Sequence, residues 1–130
     1  MRWTEQDLTA YRQRQRGTAP APASETEQAF MARVVGAARA AGWLVYHPYR
    51  SDRSTPGFPD LVCVRPPTAH EPQGRLLFAE LKSASGQVSS EQVTWLRALA
   101  TVPGIACYLW RPTDWPAIVQ TLAPQEVPHD

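Results

Sequence analysis

Arg75-Leu-Leu-Phe-Ala-Glu-Leu-Lys82 places a carboxylate and an amine directly after an apolar, strand-like segment. Alternate side chains of a strand share a face, so Glu80 and Lys82 would continue the face begun by a leucine and a phenylalanine, with Leu81 pointing the other way. Such a pair is either a surface charge pair on an edge strand or part of a site, and charges on an apolar face are costly unless paired or metal-bound. Lys82 is the only lysine among 13 basic residues, which favours the second interpretation because lysine is a compact donor and arginine is not.

Sequence patterns typical of helix N-termini occur both before and after the segment 75–82. Ser24-x-x-Glu27 and Ser89-x-x-Gln92 both match the capping box, in which two side chains bond each other's backbone amides. Periodicity and turn residues predict, in chain order, a helix over 24–41, strands over 43–47, 60–65 and 75–82, a helix from 89 that Pro103-Gly104 ends, a strand over 105–110, and a short helix capped by Thr113 that reaches 122.

The order of these elements predicts an α/β fold. Three consecutive strands favour antiparallel hairpins, and the strand–helix–strand passage into the last strand favours a parallel crossover. We therefore expect a mixed central sheet flanked by helices. Hydrophobic residues make up 43% of the 130-residue chain, which is sufficient for one domain with a core.

The segments outside this core differ from it in composition. We expect an N-terminal helical arm with several arginines over 1–17 and a proline- and alanine-rich linker over 18–23. The main domain is expected over 24–122 and a flexible tail over 123–130. The arginines of the arm form either a solvated face or a DNA-contacting surface, and the sequence leaves both open.

Overall charge and cysteine content limit the possible roles. The net charge is +1, so any DNA binding must depend on a local basic patch, on metal ions, or on both. Cys63 and Cys107 lie in apolar runs and are expected to be buried free thiols. No apolar stretch is long enough for a signal peptide or a membrane span, so we expect a cytoplasmic protein without membrane partners.

Asp60 is the second candidate carboxylate, because it opens the strand before the one that carries Glu80. If these strands pair, both carboxylates can converge on one hard metal ion, with the Leu81 carbonyl as a neutral ligand. Lys82 could then hold the attacking water or a phosphate oxygen. The alternative for Asp60 is a structural role in the turn Gly57-Phe-Pro-Asp60.

Glu27 and Gln92 each have a structural and a functional interpretation. Both could simply complete their capping boxes. Glu27 also lies on the helical stripe that contains Phe30 and Val34, so it could approach the metal directly or through water. Gln92 could place an amide near the scissile phosphate, at a helix N-terminus that itself favours anions. His47, at a strand end, is the weakest candidate.

Glu27, Gly57-Phe-Pro-Asp60, Glu80-Leu-Lys82 and Ser89-Ser-Glu-Gln92, in this order, resemble the VRR-NUC (virus-type replication-repair nuclease) family of the PD-(D/E)XK, restriction-endonuclease-like nucleases. The resemblance covers about 24–122, and the Trp-Arg-Pro segment at 110–112 is similar to that of phage and prophage stand-alone members. It implies a restriction-endonuclease-like αβββαβ core.

The resemblance also implies an activity. The chain would be a Mg²⁺- or Mn²⁺-dependent endonuclease, with Asp60 and Glu80 as metal ligands, Lys82 as the catalytic lysine, and Glu27 and Gln92 as flanking site residues. Similar proteins are homodimers that cut branched DNA, such as Holliday junctions or flaps, in replication, repair or recombination. Two alternatives stay open: a non-cleaving DNA- or protein-binding module on the same fold, and an ordinary α/β domain with a surface charge pair.

Overall fold

The computed structural model describes Thr4, Gln6 and the residues 25–48 and 55–124. Apart from Thr4 and Gln6, the predicted N-terminal arm and linker lie outside the described residues, as do residues 49–54 of the predicted loop and most of the predicted tail. None of the described helices has the length and apolarity needed to cross a membrane.

The described chain contains four strands, three α-helices and one 3-10 turn. In chain order they are α1 (Glu27–Ala40), β1 (Leu44–Tyr46), β2 (Leu61–Arg65), β3 (Arg75–Leu81), α2 (Ser90–Ala100), β4 (Ala106–Trp110), the 3-10 turn (Pro112–Asp114) and α3 (Trp115–Leu122). Each strand is one or two residues shorter than predicted. The helix–three strands–helix–strand order is that of a restriction-endonuclease-like αβββαβ core.

The four strands form one mixed sheet in the order β1-β2-β3-β4. β1, β2 and β3 pair antiparallel, and β3 pairs parallel with β4, which confirms the predicted hairpins and crossover. Because β2 and β3 pair with Leu61 opposite Ala79, the residue before β2 lies beside the end of β3. The topology thus brings two distant parts of the sequence to one edge of the sheet.

Helices cover both faces of the sheet. Buried side chains of α1 and α3 pack against one face of β2 and β3, while Val93 and Leu96 of α2 pack with Cys107 on the other. Cys63 and Cys107 are both buried free thiols, as predicted. A three-layer arrangement of this kind fixes the helix ends relative to the strand ends, because interiors pack densely.

The first helix is capped by a different residue from the one predicted. Thr26 is the N-cap, with extended backbone angles, and its Oγ1 accepts a 3.0 Å hydrogen bond from the Ala29 amide. The predicted capping box between Ser24 and Glu27 is therefore wrong, and Glu27 is the first residue of α1. The predicted box at Ser89 and Gln92 is confirmed, with both reciprocal bonds present.

The cap of the last helix is also different. Thr113 lies inside the 3-10 turn, and α3 begins at Trp115 after Asp114. Asp114 makes no side-chain cap, because its Oδ2 accepts a 2.9 Å hydrogen bond from the Arg111 amide instead. The prediction that Thr113 caps this helix is wrong, since the chain makes one tight turn before the helix can start.

Trp43 joins the sheet to the helical layer at the end remote from Asp60. Its side chain is 3% exposed, and its indole Nε1 donates a 2.8 Å hydrogen bond to the Leu122 carbonyl at the end of α3. The guanidinium groups of Arg65 and Arg75 lie 6.0 and 5.2 Å from the centre of its ring. Trp43 therefore both closes the core and stabilises two positive charges.

We expect Trp43→Phe to lower the free energy of unfolding by about 1–3 kcal/mol, because the buried Leu122 carbonyl loses its donor. Urea denaturation measures the change. Tyr46→Phe is the control, since Tyr46 is 64% exposed and its substitution should change stability by no more than about 0.5 kcal/mol. Equal stability of Trp43→Phe and the wild type would contradict the role given to the indole.

Candidate active site

Asp60 and Glu80 meet at the edge where β2 begins and β3 ends. The Asp60 Oδ2 accepts a 2.8 Å hydrogen bond from the backbone amide of Leu81, which fixes the loop before β2 to β3. The two carboxyl groups are close enough to share a hydrogen bond when Glu80 is protonated. The structure thus brings together the two carboxylates that the sequence predicted would converge.

Glu80 is a buried carboxyl group with one unsatisfied oxygen. Its side chain is 1% exposed, its Oε1 accepts a 2.7 Å hydrogen bond from Gln92 Nε2, and its Oε2 has no hydrogen-bond partner among the described residues. Burial, the neighbouring Asp60 and Glu27 together raise the pKa of Glu80 to about 9, with burial the largest cause, while Lys82 opposes the rise. Ionised Glu80 needs more positive charge than Lys82 supplies.

Gln92 links the first turn of α2 to Glu80. Its Oε1 accepts a 2.8 Å bond from the Ser89 amide, completing the capping box, while its Nε2 donates to Glu80. A single side chain therefore fills both positions that the sequence suggested, at the helix cap and beside the site. The two contacts set the same orientation of the Gln92 amide. The Ser89 amide needs the oxygen as acceptor, and the Glu80 carboxyl oxygen needs the nitrogen as donor.

Glu27 approaches the same region from α1. It lines a cavity of about 350 Å³ together with Asp60, Leu81 and three other residues, Gln28, Met31 and Pro48. Phe30, Val34 and Ala38 are buried on the inward stripe, and Glu27 extends it as predicted, whereas Glu25 pairs with Arg33 at 2.7 Å. His47 is half-buried at the end of β1 and does not line this cavity.

Lys82 follows β3 and begins the loop to α2. Its backbone amide donates a 3.0 Å hydrogen bond to the Trp110 carbonyl, so its position is fixed from β4. A methyl group added at Gly86 would lie 3.4 Å from Lys82 Cδ and 3.1 Å from Glu27 Oε1. The loop after Lys82 therefore packs against two of the predicted site residues at once.

The sequence did not indicate how the Asp60 loop is held. Phe58 packs edge-on against Phe78 and Trp95, with ring centres 6.3 and 5.1 Å apart. Gly57 has φ +86°, and a Cβ there would lie 2.4 Å from the Glu91 carbonyl carbon. This packing joins the loop that carries Asp60 to the helix that carries Gln92, and its only signal in the sequence was the Gly57-Phe58-Pro59-Asp60 motif.

The donor set fits a hard divalent cation of the Mg²⁺ type. No three His, Cys, Asp or Glu side chains in the described part of the chain form a complete ligand cluster. The Glu80 Oε2 beside Asp60, which has no hydrogen-bond partner among the described residues, is nevertheless an oxygen that could ligate such a cation. Mg²⁺ sites generally combine one or two carboxylates with water and substrate phosphates, so two carboxylates are sufficient.

Comparison with known proteins identifies a family. A model of the VRR-NUC domain matches residues 2–109, most of the chain, including the segments that carry Asp60, Glu80, Lys82 and Gln92. The motifs resemble that family over about 24–122, so the match starts earlier in the chain than this region and also ends earlier. No curated protein and no solved structure matches the chain.

The raised pKa of Glu80 predicts a pH dependence in the metal-free protein. Between the ordinary value near 4.5 and about 9, the folded state holds a proton that the unfolded state has released, so the free energy of unfolding falls as pH rises. The slope cannot exceed about 1.4 kcal/mol per pH unit, the limit for one proton. Urea denaturation from pH 5 to 9 should show this fall in the wild type but not in Glu80→Gln, and parallel curves would contradict it.

Gly57→Ala should lower the free energy of unfolding by more than about 2 kcal/mol, because the left-handed backbone and the close Glu91 carbonyl both oppose a side chain. Gly36→Ala is the matched control. Nothing lies within 4 Å of a Cβ at Gly36, which is inside α1, so that substitution should stabilise by about 0.5–1 kcal/mol. Urea denaturation compares them, and an unchanged Gly57→Ala protein would refute the packing described.

Proposed function

The chain belongs to the VRR-NUC domain family, whose members are nucleases, and we propose that it is a metal-dependent endonuclease that hydrolyses phosphodiester bonds in branched DNA. The observation that carries the proposal is the buried Glu80 carboxylate, which lies beside Asp60 with one oxygen unsatisfied. A buried carboxylate beside a second carboxylate is rarely left without a compensating cation, because each raises the free energy of ionising the other.

Asp60 and Glu80 would hold Mg²⁺ or Mn²⁺, with the Leu81 carbonyl as a neutral ligand and Glu27 binding directly or through water. When bound, such an ion supplies positive charge to the scissile phosphate and lowers the pKa of a nearby water. Gln92 keeps the Glu80 carboxylate in one orientation by donating to Oε1, which leaves Oε2 available to the ion. Leu81 lines the same cavity as Asp60 and Glu27, which supports its inclusion.

Lys82 would orient the attacking water or a phosphate oxygen. Its charge already acts on Glu80, since it lowers the pKa that burial raises. A lysine ammonium is a small donor that can point at one oxygen, whereas the arginine guanidinium is a wider planar group. The N-terminus of α2, which carries Gln92, adds a local environment favourable to phosphate, so a net charge of +1 is compatible with DNA binding.

The substrate and assembly follow from the family resemblance. We infer that the chain acts on junctions or flaps during replication, repair or recombination in the cytoplasm, as a stand-alone protein of phage or prophage type. We also infer that it acts as a homodimer, because two cuts in a symmetric branch require two sites, and a twofold dimer supplies them.

The test is a cleavage panel of splayed arm, flap, four-way junction and linear duplex DNA with Mg²⁺ or Mn²⁺. We expect branched DNA to be cut faster than duplex, and Asp60→Asn and Lys82→Ala each to lose about 10²-fold or more in rate, because both act on charge that develops during the reaction. Arg39→Gln, at an exposed position in the last turn of α1, is the control and should keep full activity.

Each other outcome of the panel has a definite meaning. Unchanged cleavage by Lys82→Ala or Asp60→Asn would refute the assigned roles. Binding of branched DNA with no cleavage under either metal would instead indicate a non-cleaving DNA-binding module.

A further inference from the structure

Arg111 lies immediately after β4 and extends toward the loop that follows Lys82. Its Nη1 donates to the Ser83 carbonyl and its Nη2 to the Gly86 carbonyl, the latter at 2.6 Å. Its own backbone amide donates to Asp114 Oδ2. Burial lowers the pKa of Arg111 from its ordinary value and the Asp114 carboxylate opposes that change, so the half-buried guanidinium has a nearby negative charge.

The loop between these two carbonyls forms part of the candidate site. The Gly86 amide donates a 3.3 Å bond to the Ser83 carbonyl, which closes a turn. At Gly86 the backbone is close to both Lys82 Cδ and Glu27 Oε1, since an added methyl group would touch each of them. A shift of this turn would therefore change the space available to the side chains of Lys82 and Glu27, although the Lys82 backbone is held separately by β4.

We propose that Arg111 is a positioning residue that fixes the 83–86 turn and, through it, the placement of Lys82 and Glu27. The inference rests on the proposed nuclease function and adds to it a residue outside the four motifs. A planar guanidinium can bond two carbonyls three residues apart in one rigid contact, and a lysine cannot reproduce that geometry. Small displacements of reacting groups reduce rates strongly, so a loss of this contact should act on the chemical step.

Single-turnover cleavage of the best branched substrate tests the proposal. We expect Arg111→Met to reduce the cleavage rate at least about tenfold while the dissociation constant for DNA stays within about twofold, since the contact orients groups and does not bind DNA. Arg111→Lys should fall between it and the wild type. Arg97→Met, at an exposed position in the last turn of α2, is the matched control and should cleave at the wild-type rate.

A rescue experiment separates positioning from simple destabilisation. Methylguanidinium ions should raise the rate of Arg111→Ala and leave that of Lys82→Ala unchanged, because only the first variant leaves a guanidinium-shaped space. Gly86→Ala is a second variant that leaves Arg111 intact; its Cβ would lie 3.0 Å from Ser83 Oγ and 3.1 Å from Glu27 Oε1, so it should also lower the cleavage rate. Wild-type cleavage by Arg111→Met, or a loss explained by a lowered melting temperature without rescue, would overturn the proposal.

Amide hydrogen exchange in metal-free protein gives a readout that does not depend on activity. The Gly86 amide should exchange about tenfold faster in Arg111→Met, while amides in the middle of β3 keep their protection. Unchanged Gly86 exchange would overturn the proposal. A wild-type protein that cleaves no DNA would instead refute the nuclease function. In that case the exchange rate of the Gly86 amide alone would show whether Arg111 fixes the turn.

Discussion

The buried carboxyl group of Glu80 is the constraint around which the site is built. An amide from α2 holds one of its oxygens, the Asp60 carboxyl lies beside it, and its other oxygen has no hydrogen-bond partner among the described residues. Two ionised carboxylates in this arrangement are unfavourable without a nearby cation, which is the basis for the proposed metal site.

Four separate segments of the chain lie around this carboxyl group, and each is fixed by its own packing. The sheet register brings Asp60 to Glu80, the capping box orients Gln92, and the inward stripe of α1 aims Glu27 at the cavity. The side chain of Phe58 locks the Asp60 loop against α2, and Arg111 holds the turn after Lys82. Rigid support of this type is what a site needs in order to act on a substrate without reorganising.

Much of this could be predicted because the relevant signals are local. The order of the elements predicted the mixed sheet, and the Ser89–Gln92 spacing predicted the second cap. The N-cap positions of α1 at Thr26 and of α3 at Asp114 could not be predicted, because several hydroxyl or carboxyl residues lie near each helix start and the backbone selects one. Arg111 contacts Ser83 and Gly86, which precede it by 28 and 25 positions in the chain, and no sequence periodicity indicates such a contact.

The most direct measurement is anomalous diffraction from crystals soaked in Mn²⁺. We expect a strong peak within coordination distance of both the Asp60 carboxylate and Glu80 Oε2, close to the Leu81 carbonyl, and no such peak in Glu80→Gln crystals. A well-diffracting crystal that binds Mn²⁺ only elsewhere, or that shows no peak at this edge of the sheet at millimolar Mn²⁺, would contradict the proposal that Asp60 and the buried Glu80 hold a metal ion.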